Sequence, residues 1–130
     1  MDQATHRRVR QRAGNGCESC LLPQEWSPLA RLQIEHITPR KHGGSDDDEN
    51  LGLACIHCNS HKGSHLTGID PVSGATVELF DPRKQNWTDQ FSWNGVAITG
   101  VTPCGRTTVR VMNMNSDDML SLRTVATDPG

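Results

Sequence analysis

Four cysteines, a Glu-His pair and two asparagines stand in the first half of this 130-residue chain at spacings that chemistry can use. Cys17-x2-Cys20 and Cys55-x2-Cys58 are two knuckles, each holding two thiolates close enough to share one metal. Together they make a four-cysteine set, the tetrahedral ligand group of structural zinc. The alternatives are two disulfides or four unrelated buried thiols. The opening residues, Met1 to Arg8, lack the apolar stretch of a secretion signal, so a reducing, cytoplasmic setting is expected and zinc is favoured over disulfides. Cys104 has no partner in sequence and reads as a small buried hydrophobe.

The knuckles clamp both ends of residues 21 to 54, an excursion that contains Glu35-His36 and Asn50, and Asn59 directly follows the last cysteine. Adjacent strand residues point to opposite sides, so Glu35 and His36 can serve two faces of one substrate atom. Phosphodiester hydrolysis uses such an arrangement, with a base activating water on one side and a metal at the leaving oxygen opposite. Imidazole exchanges protons near neutral pH and suits the base. A carboxylate and an amide oxygen are hard ligands that match Mg or Mn rather than zinc. Lys62 and Arg40 are candidate phosphate contacts, with solvated surface positions as the alternative, and Arg7, Arg8, Arg10 and Arg12 carry the same two readings. His57, His61 and His65 have helical i, i+4 spacing and are expected at the surface. The run Asp46 to Glu49 is expected to be a solvated acidic turn. Trp87, Phe91 and Trp93 are expected in the core rather than stacked on bases.

These groups need a frame. The basic, proline-free stretch from Thr5 to Ala13 predicts a short helix stopped at Gly14-Asn15-Gly16. From Arg31 to Ile37 polarity alternates, with Leu32, Ile34 and His36 on one face and Arg31, Gln33 and Glu35 on the other, which is a strand period. Pro39 ends it, residues 40 to 49 form a loop, and residues 50 to 54 are a second strand or a turn. A helix is expected from Asn59 to about His65. Further on, Ala75 to Phe80 alternates like an edge strand, and Asn86 caps a helical turn. Asn94-Gly95 marks a hairpin, and Thr102-Pro103 resembles a helix start; over Thr107 to Met114 the β-branched residues favour strand and the cap favours helix, and helix is preferred. Thr124 to Gly130 is expected to fray.

Cys17-x2-Cys20, Glu35-His36-Ile37-x-Pro39-Arg40, Gly43-Gly44, Asn50-Leu51 and Cys55-x2-Cys58-Asn59-x2-Lys62-Gly63 together resemble the HNH endonucleases, in particular small free-standing bacterial members with a four-cysteine zinc. The resemblance covers about residues 7 to 65. It implies a ββα-metal fold, two strands and a helix around one divalent cation. It also implies His36 as general base, Glu35 as a metal ligand, Asn50 as the residue that holds the loop and so orients the His36 ring, and Asn59 as the helix ligand. Glu35 stands where the family often has aspartate or histidine, and Gly63 cannot supply the further helix ligand that some members have.

Hydrophobic residues make up 34% of the chain and aromatics 4%, a lean composition that calls for a staple such as zinc. The net charge of −2 argues against a strongly basic non-specific nucleic-acid binder. No apolar run approaches the roughly 18–20 residues of a membrane span. The chain is therefore expected to be α+β, with a zinc-bound nuclease module at residues 1–66. A strand-and-helix extension, residues 67–130, is expected to pack on it in the same compact domain. The expected function is hydrolysis of DNA, double-stranded DNA being the expected partner, with structural zinc and catalytic Mg or Mn. No obligate protein partner and no membrane are expected. The alternatives are a non-catalytic zinc module that binds nucleic acid or protein, and an RNase using the same site.

Overall fold

A computed structural model describes residues 1–130. Asp2 opens α1 (Gln3–Arg12) by accepting the Thr5 N–H on Oδ1 at 2.8 Å, and Gly14, at φ +62°, turns the chain away after it. β1 (Gln33–His36) and β2 (Leu51–Ala54) pair antiparallel, with Glu35 opposite Gly52 and His36 opposite Leu51. β2 is buried along its whole length and runs directly into α2 (Ile56–Lys62), so strand and helix are joined at Cys55. α2 starts earlier than the sequence suggested because the Cys55 thiol serves as its N-cap, and it ends at Gly63.

The second half adds β3 (Thr67–Ile69) paired with β4 (Thr76–Glu78). It continues through α3 (Trp87–Gln90) into the hairpin β5 (Phe91–Asn94) and β6 (Ala97–Gly100), then α4 (Pro103–Val111) and α5 (Asp117–Ala126). The fold is thus a mixture of helices and three small antiparallel sheets around a four-cysteine cluster. The hairpin forms where expected, but its turn residues are Gly95-Val96, since Asn94 pairs with Ala97. Gly95 takes φ +61° at the first turn position, the place where a type II′ turn requires glycine. α4 opens as its Thr102 cap predicts and stops at Val111, short of Met114, because Asn113 adopts φ +48°. The expected frayed tail is helical to Ala126. Ser116 caps α5, and Arg123 within it is buried, donating to the Met114 and Val96 carbonyls. No helix is long and apolar enough to cross a membrane.

One hydrophobic cluster joins the two halves. It contains Val9 from α1, Leu51 and Leu53 from β2, the four zinc-knuckle cysteines, and Phe80, Phe91, Ile98, Met112 and Met119 from the second half. Close backbone approach locks α4 onto the last hairpin and the end of α3: a Cβ on Gly100 of β6 would lie 2.2 Å from the Arg106 nitrogen, and one on Gly105 would lie 2.0 Å from the Gln90 carbonyl oxygen.

Asp70, fully buried after β3, ties this half together. Arg106 on α4 meets its two oxygens at 3.0 and 2.8 Å, and this pairing holds the carboxyl well below the usual carboxylate range. A depressed folded-state pKa contributes stability above the unfolded-state value of about 4, which is lost as pH falls further toward the folded value. Urea midpoints are therefore expected to drop below about pH 4. Asp70→Asn should lower the midpoint at neutral pH and flatten that acid limb. An unchanged acid limb in the variant would assign it to other carboxyls.

Candidate metal centre and nuclease site

The four ligand sulfurs of Cys17, Cys20, Cys55 and Cys58 lie within 4.8 Å of one another, all in buried residues. A tetrahedral zinc with Zn–S of about 2.3 Å has sulfur–sulfur edges of about 3.8 Å, and Cys20 and Cys55 Sγ are 3.7 Å apart. Backbone N–H groups already face the sulfurs, Cys20 N to Cys17 Sγ at 3.5 Å and Cys58 N to Cys55 Sγ at 3.4 Å. Without a cation four such thiols cannot all ionise. Contact with the Cys17 thiol pushes Cys20 and Cys58 up while it pulls Cys55 down. The donor set fits zinc in number, type and spacing, and none of the four thiols is disulfide-bonded.

The first knuckle is bolted at two further points that the sequence left unassigned. Glu18 accepts the Leu53 N–H at 3.0 Å and pairs through its other oxygen with Arg83, and Trp87 Nε1 donates to the Ser19 carbonyl at 2.8 Å. Arg83 and Trp87 belong to the second half, so the extension braces the knuckle. Trp87 and Phe91 stack in this layer as expected of core residues, whereas Trp93 is half exposed and packs against Trp87 and Arg123.

β1 and α2 face each other through Gln33 and Glu35 on the strand and Asn59 and Lys62 on the helix. Asn59 donates Nδ2 to Gln33 Oε1 at 2.7 Å, and Lys62 Nζ approaches Glu35 Oε2 at 3.5 Å. Glu35 is 6% exposed and Lys62 3%, so the strand's carboxylate is covered by the helix, while Gln33 on the same side stays exposed. Lys62 is therefore corrected from a phosphate contact to an interior ammonium. It donates to the Ile37 carbonyl at 2.9 Å and the His36 carbonyl at 3.4 Å as well. Burial pushes the Glu35 carboxyl up, and Lys62 only partly offsets that shift.

Lys62→Met would leave Glu35 buried without its cation, which typically costs about 3–5 kcal/mol. A lowered urea midpoint, recovered in part by adding Glu35→Gln, is the expected result. A midpoint unchanged by Lys62→Met would mean that solvent, not Lys62, compensates Glu35.

His36 ends β1 with its ring on the loop side, Nε2 2.6 Å from Asp46 Oδ1. Asn50 closes that loop. Its Oδ1 accepts the Thr38 N–H at 2.8 Å, and its Nδ2 donates to the carbonyls of Thr38 at 3.0 Å and Ser45 at 2.8 Å. Only glycine fits at 44 inside this closure, because a Cβ there would lie 1.7 Å from the Thr38 carbonyl oxygen. Arg40 turns its guanidinium onto Asp46 at 2.9 Å, so its free-phosphate reading gives way to an ion pair on a half-exposed surface. The acidic run is held, not merely solvated: Arg8 pairs with Asp48 at 2.8 Å, and Arg12 donates to the Asp48 and Leu51 carbonyls. Two of the N-terminal arginines thus brace the loop. His57 and His61 stack at 4.2 Å, and ring nitrogens of His57, His61 and His65 meet backbone carbonyls.

The oxygens suited to a hard cation are Glu35 and Asn59 on this β1–α2 face, though each has a different partner. The Glu35 carboxylate has a single polar contact, the long one to Lys62, and Asn59 spends Nδ2 on Gln33 and keeps Oδ1 as an acceptor. An under-bonded carboxylate and an amide oxygen fit Mg or Mn in donor type. Asp46 and the Arg83–Glu18 clamp are what sequence reasoning missed; the only signal for Asp46 was its place in an acidic run beside Asn50.

Comparison with known proteins finds that residues 17–65 match the HNH endonuclease family model. No curated protein and no solved structure matches the chain. The matched segment begins at the first zinc-knuckle cysteine and includes β1, the Asn50-closed loop, β2 and α2. Residues 17–65 are thus similar to HNH endonucleases, a likeness that suggests a nuclease-type module acting on nucleic acid.

Proposed function

We propose that the protein hydrolyses phosphodiester bonds of double-stranded DNA, by nicking or cutting both strands, with His36 as general base. The observation that carries this reading is a partly exposed imidazole at the end of β1, within the segment that matches the HNH model. The choice of DNA rests on the motif resemblance. The reading takes residues 1–66 as a ββα-metal nuclease module and residues 67–130 as its brace. It sets both in the cytoplasm, in keeping with four thiols arranged as ligands.

His36 accepts a proton from water as the water oxygen bonds to phosphorus. The bond from phosphorus to the 3′-oxygen breaks, and that oxygen takes a proton from solvent, leaving a 3′-hydroxyl and a 5′-phosphate. Asn50 keeps the loop shut around the base. Lys62 anchors the His36 and Ile37 carbonyls, so the strand end does not move as charge develops. Glu35 and Asn59 would hold Mg or Mn, which when bound supplies charge stabilisation at the leaving oxygen.

Supercoiled plasmid incubated with Mg, with Mn and with EDTA tests the reading. Nicking with either ion and none in EDTA is expected. Glu35→Gln and Asn59→Ala should each shift the Mn midpoint upward, about tenfold or more for the carboxylate, whereas loss of the base leaves the midpoint in place. Absence of nicking under every condition would remove the activity. An unchanged Mn midpoint in Asn59→Ala would reduce Asn59 to a helix residue bonded to Gln33.

A further inference from the structure

The His36 ring has a partner that its strand does not supply. Asp46 Oδ1 is 2.6 Å from Nε2, and Arg40 brings Nη2 to 2.9 Å and Nε to 3.3 Å of that same oxygen. The hydrogen bonds from His36 and then Arg40 hold the Asp46 carboxyl below the usual carboxylate range, so it is an acceptor. An acceptor-only oxygen at this distance calls for the proton on Nε2, and a neutral imidazole then has its lone pair on Nδ1. The placement is built rather than incidental. Asn50 holds the Ser45 carbonyl at 2.8 Å and Thr38 at both backbone groups, so the residue after Ser45 is delivered to the ring by the closed loop. Its acidic neighbours do other things: Asp48 is taken by Arg8, and the Asp47 backbone carbonyl accepts the Asn50 N–H.

We infer that Asp46 is a positioning residue that fixes the His36 ring in its Nε2–H tautomer, so that Nδ1 is the nitrogen that takes the proton from water. This role rests on the reading of His36 as the base. Asn50 then acts on the ring through Ser45 and Asp46, and Arg40 steadies the carboxylate instead of reaching for phosphate. Asp46 has a side chain 52% exposed, so its hold on the ring is weaker than that of a fully buried carboxylate. Its loss should cost roughly 10- to 100-fold in rate, well short of the roughly 10⁴ seen where a buried carboxylate sets the tautomer.

Two measurements on the zinc-loaded full chain test this. Long-range proton–nitrogen correlation spectra of 15N-labelled protein, without Mg or Mn, report the tautomer of each ring, and the His36 signals are those lost in His36→Gln. Wild type should show the Nε2–H form. Asp46→Ala should mix the two tautomers and slow nicking by roughly 10- to 100-fold with little change in KM for plasmid. Asp46→Asn should fall between, since an amide oxygen still accepts from Nε2, and Asp47→Ala should match wild type in both measurements. An Nδ1–H form in wild type, or Asp46→Ala with unaltered tautomer and rate, overturns the role of Asp46 while His36→Gln still abolishes nicking. Wild-type protein that does not nick, or His36→Gln that nicks normally, overturns the base assignment itself and this role with it.

Discussion

His36→Ala is expected to slow plasmid nicking by roughly a hundred- to ten-thousand-fold, the span that removal of a general base produces. The fold should survive it. The ring is at a strand end, its one polar contact is to a half-exposed carboxylate, and such surface pairs contribute about 0–1 kcal/mol. Circular dichroism, zinc content and plasmid binding should stay near wild type, so the loss belongs to the chemical step. Retention of the full rate would move the base elsewhere. His42 and His61 would be the next candidates, each with one ring nitrogen engaged: His42 Nε2 bonds the Ser64 carbonyl at 3.1 Å, and His61 Nδ1 bonds the His57 carbonyl at 2.8 Å.

Cys55→Ser is expected to cost the fold itself. Structural zinc contributes an apparent 10–16 kcal/mol, roughly, in small zinc domains, against a total stability of about 5–15 kcal/mol for a typical domain. Cys55 also caps α2, accepting the Cys58 N–H on its sulfur, and links β2 to the helix that carries Asn59 and Lys62. Serine can preserve the cap but is a poor zinc ligand, so the variant separates metal binding from capping. Metal analysis should give about one zinc per wild-type chain and a marked deficit in the variant, with loss of near-ultraviolet circular dichroism. A strong chelator should do the same to wild type. A zinc-free variant with native spectra and an unchanged urea midpoint would show that the four thiols pack without needing metal. Because the cysteines share a core with Phe80, Phe91 and Met119, unfolding should spread to the second half rather than stop at the knuckles.

The sequence by itself determined what short-range geometry dictates. The two knuckles set a four-thiolate group because each Cys-x2-Cys turn can present two sulfurs to one centre. The alternating run ending at Glu35-His36 located β1, and the Thr102-Pro103 start located α4, because strand period and helix capping are local properties of the chain. The helix α5 went unseen because Arg123 looks like a tail residue until the carbonyls of Val96 and Met114 are brought to it.

Only the tertiary structure decided how charges are spent. Glu35 lies on the polar side of an alternating strand, yet α2 packs over it and makes it a buried carboxylate. Lys62 reads as a solvent lysine until Gly63 ends the helix and its ammonium is directed to the His36 and Ile37 carbonyls. Asp46 is indistinguishable in sequence from Asp47 and Asp48, and it alone meets the His36 ring because Asn50 closes the loop one residue before it. Arg83 and Glu18 are 65 residues apart. Ion-pair partners at such distances are selected by how the elements pack, since a charged side chain has no periodicity or turn preference that names its partner, whereas a metal ligand pair announces itself by spacing.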